Sequence, residues 1–198
     1  MNLPNKLTVL RIIMTPLFMA AMVFNFPYHY AVALVLFVVA SLTDMLDGKI
    51  ARARNLVTDF GKFLDPLADK MLTTAAFVAF LAKGFGFGID WVLFIIIFRE
   101  FMVSSLRLVI VSSKEGKVVA ANTWGKAKTV TQMITIIFGI AVMFFNDSIA
   151  PMFAVTPAAL QRILYIVFNV LLMLSALFTV VSGLIYLKDG FKFIDSSK

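Results

Sequence analysis

Four aspartates carry the chemistry open to this sequence. Asp44 and Asp47 stand three residues apart, and Asp65 and Asp69 four apart, in stretches that are otherwise largely apolar. On a helix, either spacing puts both carboxylates on one face. Ionisable groups in apolar spanning segments are costly, and where they occur they mark function. Four carboxylates gathered together cannot all stay ionised without cations. One or two divalent ions resolve that conflict, and an all-oxygen donor set favours magnesium, manganese or calcium over zinc. The chain has no cysteine and one histidine, His29. Thiolate catalysis and zinc–thiolate sites are thereby excluded, and a Ser-His-Asp triad is poorly supplied.

The neighbours of the aspartates extend this reading. Gly48, Ala51 and Arg52 follow Asp44 at i+4, i+7 and i+8, and Gly61 lies one turn before Asp65. A glycine inside a helix costs about 1 kcal/mol relative to alanine. Close approach of a bulky ligand to the backbone is a physical reason to keep one. Arg52 adds a fixed charge suited to bidentate phosphate binding. Taken singly, each residue has an ordinary explanation. Gly48 serves helix packing, Asp65 before Pro66 acts as a cap, and Arg52 anchors a cytoplasmic helix end. Taken together, they read as a pyrophosphate site at a membrane surface.

The elements that must position these residues are helices. The chain has 198 residues, 61% hydrophobic and 15% charged, with a mean hydropathy of +0.96. A soluble domain is about 45–50% apolar and about 25% charged, so an ordinary soluble enzyme and a disordered chain are both disfavoured. The composition predicts one all-α integral membrane domain over 1–198. Six apolar segments have spanning length: Thr8–Phe26, Tyr30–Arg54, Phe60–Ala82, Ile89–Ser113, Thr123–Phe145 and Ala159–Leu187. Asn25-Phe26-Pro27, Lys83-Gly84, Lys114–Lys117 and Asn146-Asp147 interrupt them. Lys6 and Arg11 before an apolar run imitate a signal peptide, but the segment reads as the first span.

Charge sets the predicted topology. With the N-terminus inside, fifteen of the 18 lysines and arginines fall on cytoplasmic loops, flanks or termini; Lys83 and Arg162 fall outside, and Arg99 within a span. This is a strong positive-inside asymmetry. It predicts six transmembrane helices with both termini cytoplasmic, in a multi-pass protein of the cytoplasmic membrane. It also accounts for the net charge of +7 without nucleic acid. The short connection Asn55–Asp59 predicts the second and third helices as antiparallel neighbours, with all four carboxylates converging at their cytoplasmic ends. Asp44 lies 14 residues beyond Tyr30. That is about 20 Å into a hydrocarbon core of about 30 Å.

The spacing Asp44-x2-Asp47-Gly48-x2-Ala51-Arg52-x8-Gly61-x3-Asp65-x3-Asp69 resembles, at all eight positions, the signature of the CDP-alcohol phosphatidyltransferase family. The motif covers 26 residues, and the six-span layout covers most of the chain. Asn2–Arg11, Arg99–Arg107 and Trp124–Met133 are further stretches, less specific, similar to the family branch that uses a glycerol phosphate acceptor. The resemblance implies transfer of a phosphatidyl group from CDP-diacylglycerol to sn-glycerol 3-phosphate, releasing CMP, on the cytoplasmic side of the bilayer. It implies Asp44, Asp47 and Asp65 as ligands of Mg2+ or Mn2+, two ions in all. Asp69 is implied as general base, and it also touches a metal in part of the family. Gly48, Ala51, Arg52 and Gly61 are implied as the CDP-diacylglycerol cradle. A homodimer is implied as well.

A phosphorylated acceptor calls for a second anion site. Lys126 and Lys128 lie in the first turns of the fifth helix, where free N–H groups favour anions and Asn122 or Thr123 supplies a cap. Arg107, near the cytoplasmic end of the fourth helix, is the third candidate. Arg99, beside Glu100, is read as a structural, ion-paired residue. Asn5, Thr8 and Arg11 are placed within reach of the nucleotide. His29 with Tyr28 and Tyr30 is expected in an outer aromatic belt. Trp91, Trp124 and Tyr186 are expected as interfacial anchors, and Pro16 as a kink. Three alternatives stay open: the same family with another acceptor (as in cardiolipin, phosphatidylserine or phosphatidylinositol-phosphate synthases), a cation transporter, and a membrane scaffold. Direct transfer and an aspartyl-phosphate intermediate are both compatible with the sequence.

Overall fold

A computed structural model of the chain describes residues 3–53, 59–112, 123–152 and 158–195. The described residues form α1 (Leu3–Val23), α2 (His29–Ala53), α3 (Asp59–Ala82), α4 (Ile89–Ser112), α5 (Thr123–Phe144) and α6 (Ala158–Asp195). A π-helical turn, Phe145–Ile149, and a 3-10 turn, Ala150–Met152, follow α5 directly. The expected break at Asn146-Asp147 is therefore a change of helical pitch. α6, at 38 residues, runs past its expected end because Lys188, Asp189 and Gly190 continue the helix. α1 continues through Pro16.

The connections define two ends. Tyr28 (φ 58°) turns α1 into α2, and Gly84, Gly86 and Gly88, all at positive φ, turn α3 into α4. These turns lie together: Lys83 Nζ donates to the Val23 carbonyl and to Asn25 Oδ1, both at 3.1 Å. His29 at the start of α2 approaches Asp147 beyond α5, Nε2 to Oδ2 at 3.9 Å. The N-terminus of α1, the C-terminus of α2 and the N-terminus of α3 lie at the opposite end. So do the C-terminus of α4, the N-terminus of α5 and the C-terminus of α6. This is the motif end.

α1 packs along both α2 and α3, which touch each other little; α5 packs on α2 and α6, and α4 on α3 and α6. Among the described residues α2 and α3, expected as direct neighbours, make limited contact with each other, and α1 packs against both. Asn5, Thr8, Arg11 and Thr15 bury one face of α1 within the bundle.

Side-chain polarity is turned inside out relative to a soluble protein. Phe94, Phe98, Phe101 and Leu108 on α4, and Leu174, Leu177 and Leu184 on α6, are exposed. Gln132, Thr135, Ser175, Thr179 and Ser182 are buried. Gln132 Nε2 donates to Thr179 Oγ1 (3.2 Å), and Thr135 Oγ1 to the Leu171 carbonyl (3.1 Å), joining α5 to α6. In lipid, apolar contact between helices has little driving force, so polar bonds and close packing take over. Helices with the length and hydropathy to cross a membrane occupy Asn5–Val23, Thr123–Met152 and Ala158–Gly190, and shorter apolar helices occupy His29–Thr43 and Lys70–Ala82. These features are those of a membrane protein.

Three residues expected in the belt or as anchors are interior. His29 is buried because its Nδ1 donates to the Ala21 carbonyl (3.0 Å) and its ring centroid lies 3.9 Å from that of Tyr30, also buried. Tyr186 is buried against Val103, Leu106 and Ile110. Tyr28, Trp91 and Trp124 are exposed.

At the centre, Phe80 and Phe168 meet edge to face, with centroids 5.3 Å apart. Gly139 makes that contact possible. A Cβ there would lie 2.5 Å from Phe168 Cε2 and 2.7 Å from Phe80 Cζ. Both rings are fully buried and have nowhere to move. Gly139→Ala is expected to lower the thermal unfolding midpoint in detergent, with a cost of about 1–3 kcal/mol. An unchanged midpoint would show that the two rings yield freely.

Candidate active site at the motif end

Asp44, Asp47, Gly48, Ala51 and Arg52 occupy the last turns of α2, and Gly61, Asp65 and Asp69 the first turns of α3. Both stretches are helical, so the expected i, i+3 and i, i+4 relations hold. The side chains of these eight residues lie outside the described residues. α1 contributes the third wall. It runs antiparallel to α2, which brings Asn5, Thr8 and Arg11 to the level of the aspartate turns. Arg11 is among the largest fully buried side chains.

The candidate acceptor-phosphate residues separate by depth. Arg107 and Lys126 are exposed; Lys128, one turn into α5, is buried. The Lys128 ammonium donates to Glu100 Oε1. Arg99 Nη1 reaches the same oxygen at 3.1 Å, which bears out the reading of Arg99 as ion-paired. Lys70 Nζ lies 3.6 Å from Glu100 Oε2 and also donates to Ser104 Oγ. Ser104 in turn donates to the Glu100 carbonyl (2.7 Å). Among the described residues, this one carboxylate thus receives cations from α3, α4 and α5.

This cluster was only partly visible in the sequence. Arg99 and Glu100 are flagged by their presence in an apolar segment. Lys70 has the weaker signal of following Asp69, and nothing in its own helix points to Glu100. That contact spans 30 residues of chain, and only the packing of α3 on α4 creates it. The buried histidine takes no part, since it belongs to the opposite end of the bundle.

Residues 1–182 match the model of the CDP-alcohol phosphatidyltransferase family. A CDP-diacylglycerol–glycerol-3-phosphate 3-phosphatidyltransferase of Bacillus subtilis is 45% identical over 147 residues, 68% of this chain and 74% of the relative. A protein of that name from Rickettsia bellii is 35% identical over 190 residues, 94% of each chain. One from Haemophilus influenzae is 36% identical over 135 residues, 68% of this chain and 73% of the relative. A family match across the helical bundle, with all eight signature residues on the successive ends of α2 and α3, has one meaning: the chain belongs to the CDP-alcohol phosphatidyltransferase family.

Proposed function

We propose that the protein transfers the phosphatidyl group of CDP-diacylglycerol to sn-glycerol 3-phosphate, forming phosphatidylglycerophosphate and CMP in phospholipid synthesis. The observation that carries this reading is the placement of the eight motif residues on helix ends at one end of a lipid-facing bundle. Identity with relatives named for this activity extends over nearly the whole chain. In this reading all six helices span the cytoplasmic membrane. Both termini and the motif end face the cytoplasm, where the positive loops favour them. Assembly as a homodimer is part of the same proposal and rests on the family resemblance.

The donor set fits a hard divalent cation. It consists of four carboxylates with no histidine or cysteine nearby in sequence, which suits Mg2+ or Mn2+. Asp44, Asp47, Asp65 and Asp69 would hold two such ions, which when bound supply charge neutralisation for the pyrophosphate and the departing CMP. The remaining roles belong to the chain itself. Gly48, Ala51 and Gly61 leave room for the cytidine diphosphate against the backbone, and Arg52 pairs with its phosphate. Arg107 and Lys126, exposed at the same end, attract the acceptor phosphate, and Lys128 meets it deeper in the bundle. Asp69 takes the proton from the acceptor hydroxyl. That oxygen attacks the phosphorus bearing diacylglycerol, the bond to the CMP oxygen breaks, and CMP leaves for the cytosol.

CMP release by the purified protein in detergent, with CDP-diacylglycerol and Mg2+ or Mn2+, tests this reading. Release is expected with glycerol 3-phosphate and not with serine, inositol phosphate or phosphatidylglycerol. Asp69→Asn is expected to lower kcat by about 10²–10⁴-fold, the range of a lost general base. Chelation of divalent cations should abolish turnover. Neutralising Lys126 or Arg107 should raise KM for glycerol 3-phosphate more than KM for CDP-diacylglycerol. Release with a different acceptor overturns the acceptor assignment, and full activity in a chelator overturns the metal assignment.

Orientation is tested by labelling. The natural chain has no cysteine, so a single introduced thiol reports its own position. Phe87→Cys, at the turn end, is expected to react with a membrane-impermeant maleimide in intact cells. Thr123→Cys, at the motif end, should react only after permeabilisation. The reverse pattern would invert the topology.

A further inference from the structure

Glu100 has a place in the bundle that the functional reading leaves unused. Both of its oxygens are occupied: Oε1 by Arg99 and Lys128, Oε2 by Lys70. The side chains of Arg99, Lys128 and Glu100 are largely buried, while that of Lys70 is 38% exposed. The buried Arg99 Nε has no hydrogen-bond partner among the described residues. Among the described residues, three cations gather on this one carboxylate in a medium where charge is expensive. A cluster of cations at this depth suits a phosphate. Glu100 prevents mutual repulsion from driving the ammonium groups apart. It also joins Lys70, next to Asp69 on α3, to Lys128, two residues beyond Lys126 on α5.

The geometry points to Glu100 as a positioning residue that holds Lys70 and Lys128 in the arrangement that receives the phosphate of the acceptor. It touches neither substrate nor leaving group and acts through the two lysines. This inference rests on the proposed transfer to glycerol 3-phosphate.

Two roles for Glu100 predict opposite signs. If it merely dilutes positive charge, Glu100→Gln strengthens anion binding and lowers the acceptor KM. If it positions the lysines, the same change lets them separate, and the acceptor KM rises. A rise of about tenfold is expected, the equivalent of one charge-assisted hydrogen bond. KM for CDP-diacylglycerol should stay within about twofold, inside the context scatter of a single contact. Glu100→Asp keeps the charge on a shorter arm and should recover part of the loss. The double variant Glu100→Gln/Lys128→Gln should be no worse in acceptor KM than the poorer single variant, because the two residues act as one unit.

The decisive measurement is the KM for each substrate in CMP release by these variants, each with its thermal midpoint in detergent. An acceptor KM that is unchanged or lower in Glu100→Gln overturns the inference. So does a parallel rise in both KM values, which marks general damage to the bundle. Should Glu100→Gln fail to fold, Glu100→Asp carries the test, and an unaltered acceptor KM there overturns it equally. The unaltered protein separates the two levels: no CMP release with glycerol 3-phosphate removes the functional reading itself. Normal release with an indifferent Glu100→Gln removes only the positioning role.

Discussion

The cost of charge in a low-dielectric interior governs this molecule. Every cation in the interior of the bundle needs either a counter-ion or a route to water. Glu100 supplies the counter-ion for Arg99, Lys128 and Lys70 at once, and in doing so ties three helices together. The same constraint explains the inverted surface, with leucines and phenylalanines outward and hydroxyls, Gln132 and Arg11 inward. It also explains why the polar residues of α5 and α6 bond across the helix interface. Breaking a buried ion pair costs more than the pair itself contributes, because it strands a charge. The cluster therefore fixes the arrangement of α3, α4 and α5 more firmly than apolar packing in lipid does.

α1 acts as a wedge. It packs on both α2 and α3 and keeps these motif-bearing helices from meeting along their length. Packed helix axes lie about 8–10 Å apart, so an intervening helix widens the space between the two halves of the motif. A cytidine diphosphate needs such room, and two directly packed helices would deny it. The buried polar face of α1 at this level, Asn5, Thr8 and Arg11, makes the third wall polar where a nucleotide would lie. α4 and α5 enclose the other side with the cationic cluster.

What was legible in the sequence follows from what is local. Most helix limits were readable to within a few residues, since hydropathy and breaks such as Lys83-Gly84 act over short range; Ile89–Ser112 and Thr123–Phe144 differ by one residue from expectation, whereas α1 starts well before Thr8 and α6 runs well past Leu187, where polar residues continue the helices. The motif residues were placed correctly on helix ends, because spacing alone decides that. Partner choice was not legible. His29 looked like a belt residue until its bond to Ala21 and its packing on Tyr30 drew it inside. Tyr186 looked like an anchor until α4 covered it. The position of α1 between α2 and α3 carries no signature in the length of a loop. Lys70 and Glu100 meet only through tertiary packing, which periodicity does not encode.

Depth orders the cations into two sets with different work in the proposed reaction. Arg107 and Lys126 are exposed at the motif end and reach water, so their field acts on a soluble anion before it docks. Salt screens such exposed charges over about 8–10 Å, and their contribution is to collect the anion rather than to orient it. Lys128 and Arg99 are withdrawn from water and held by Glu100, so their field is screened little and their geometry is set in advance. In the proposed reaction an acceptor with one phosphate would be drawn in by the first set and oriented by the second. The hydroxyl to be activated lies at the opposite end of a three-carbon chain from that phosphate. Anchoring the phosphate on the α4–α5 side therefore directs the hydroxyl toward the carboxylates of α2 and α3. A neutral acceptor such as serine would gain little from either set, so in the proposed reaction the placement of the cations, more than their number, would favour a phosphorylated alcohol.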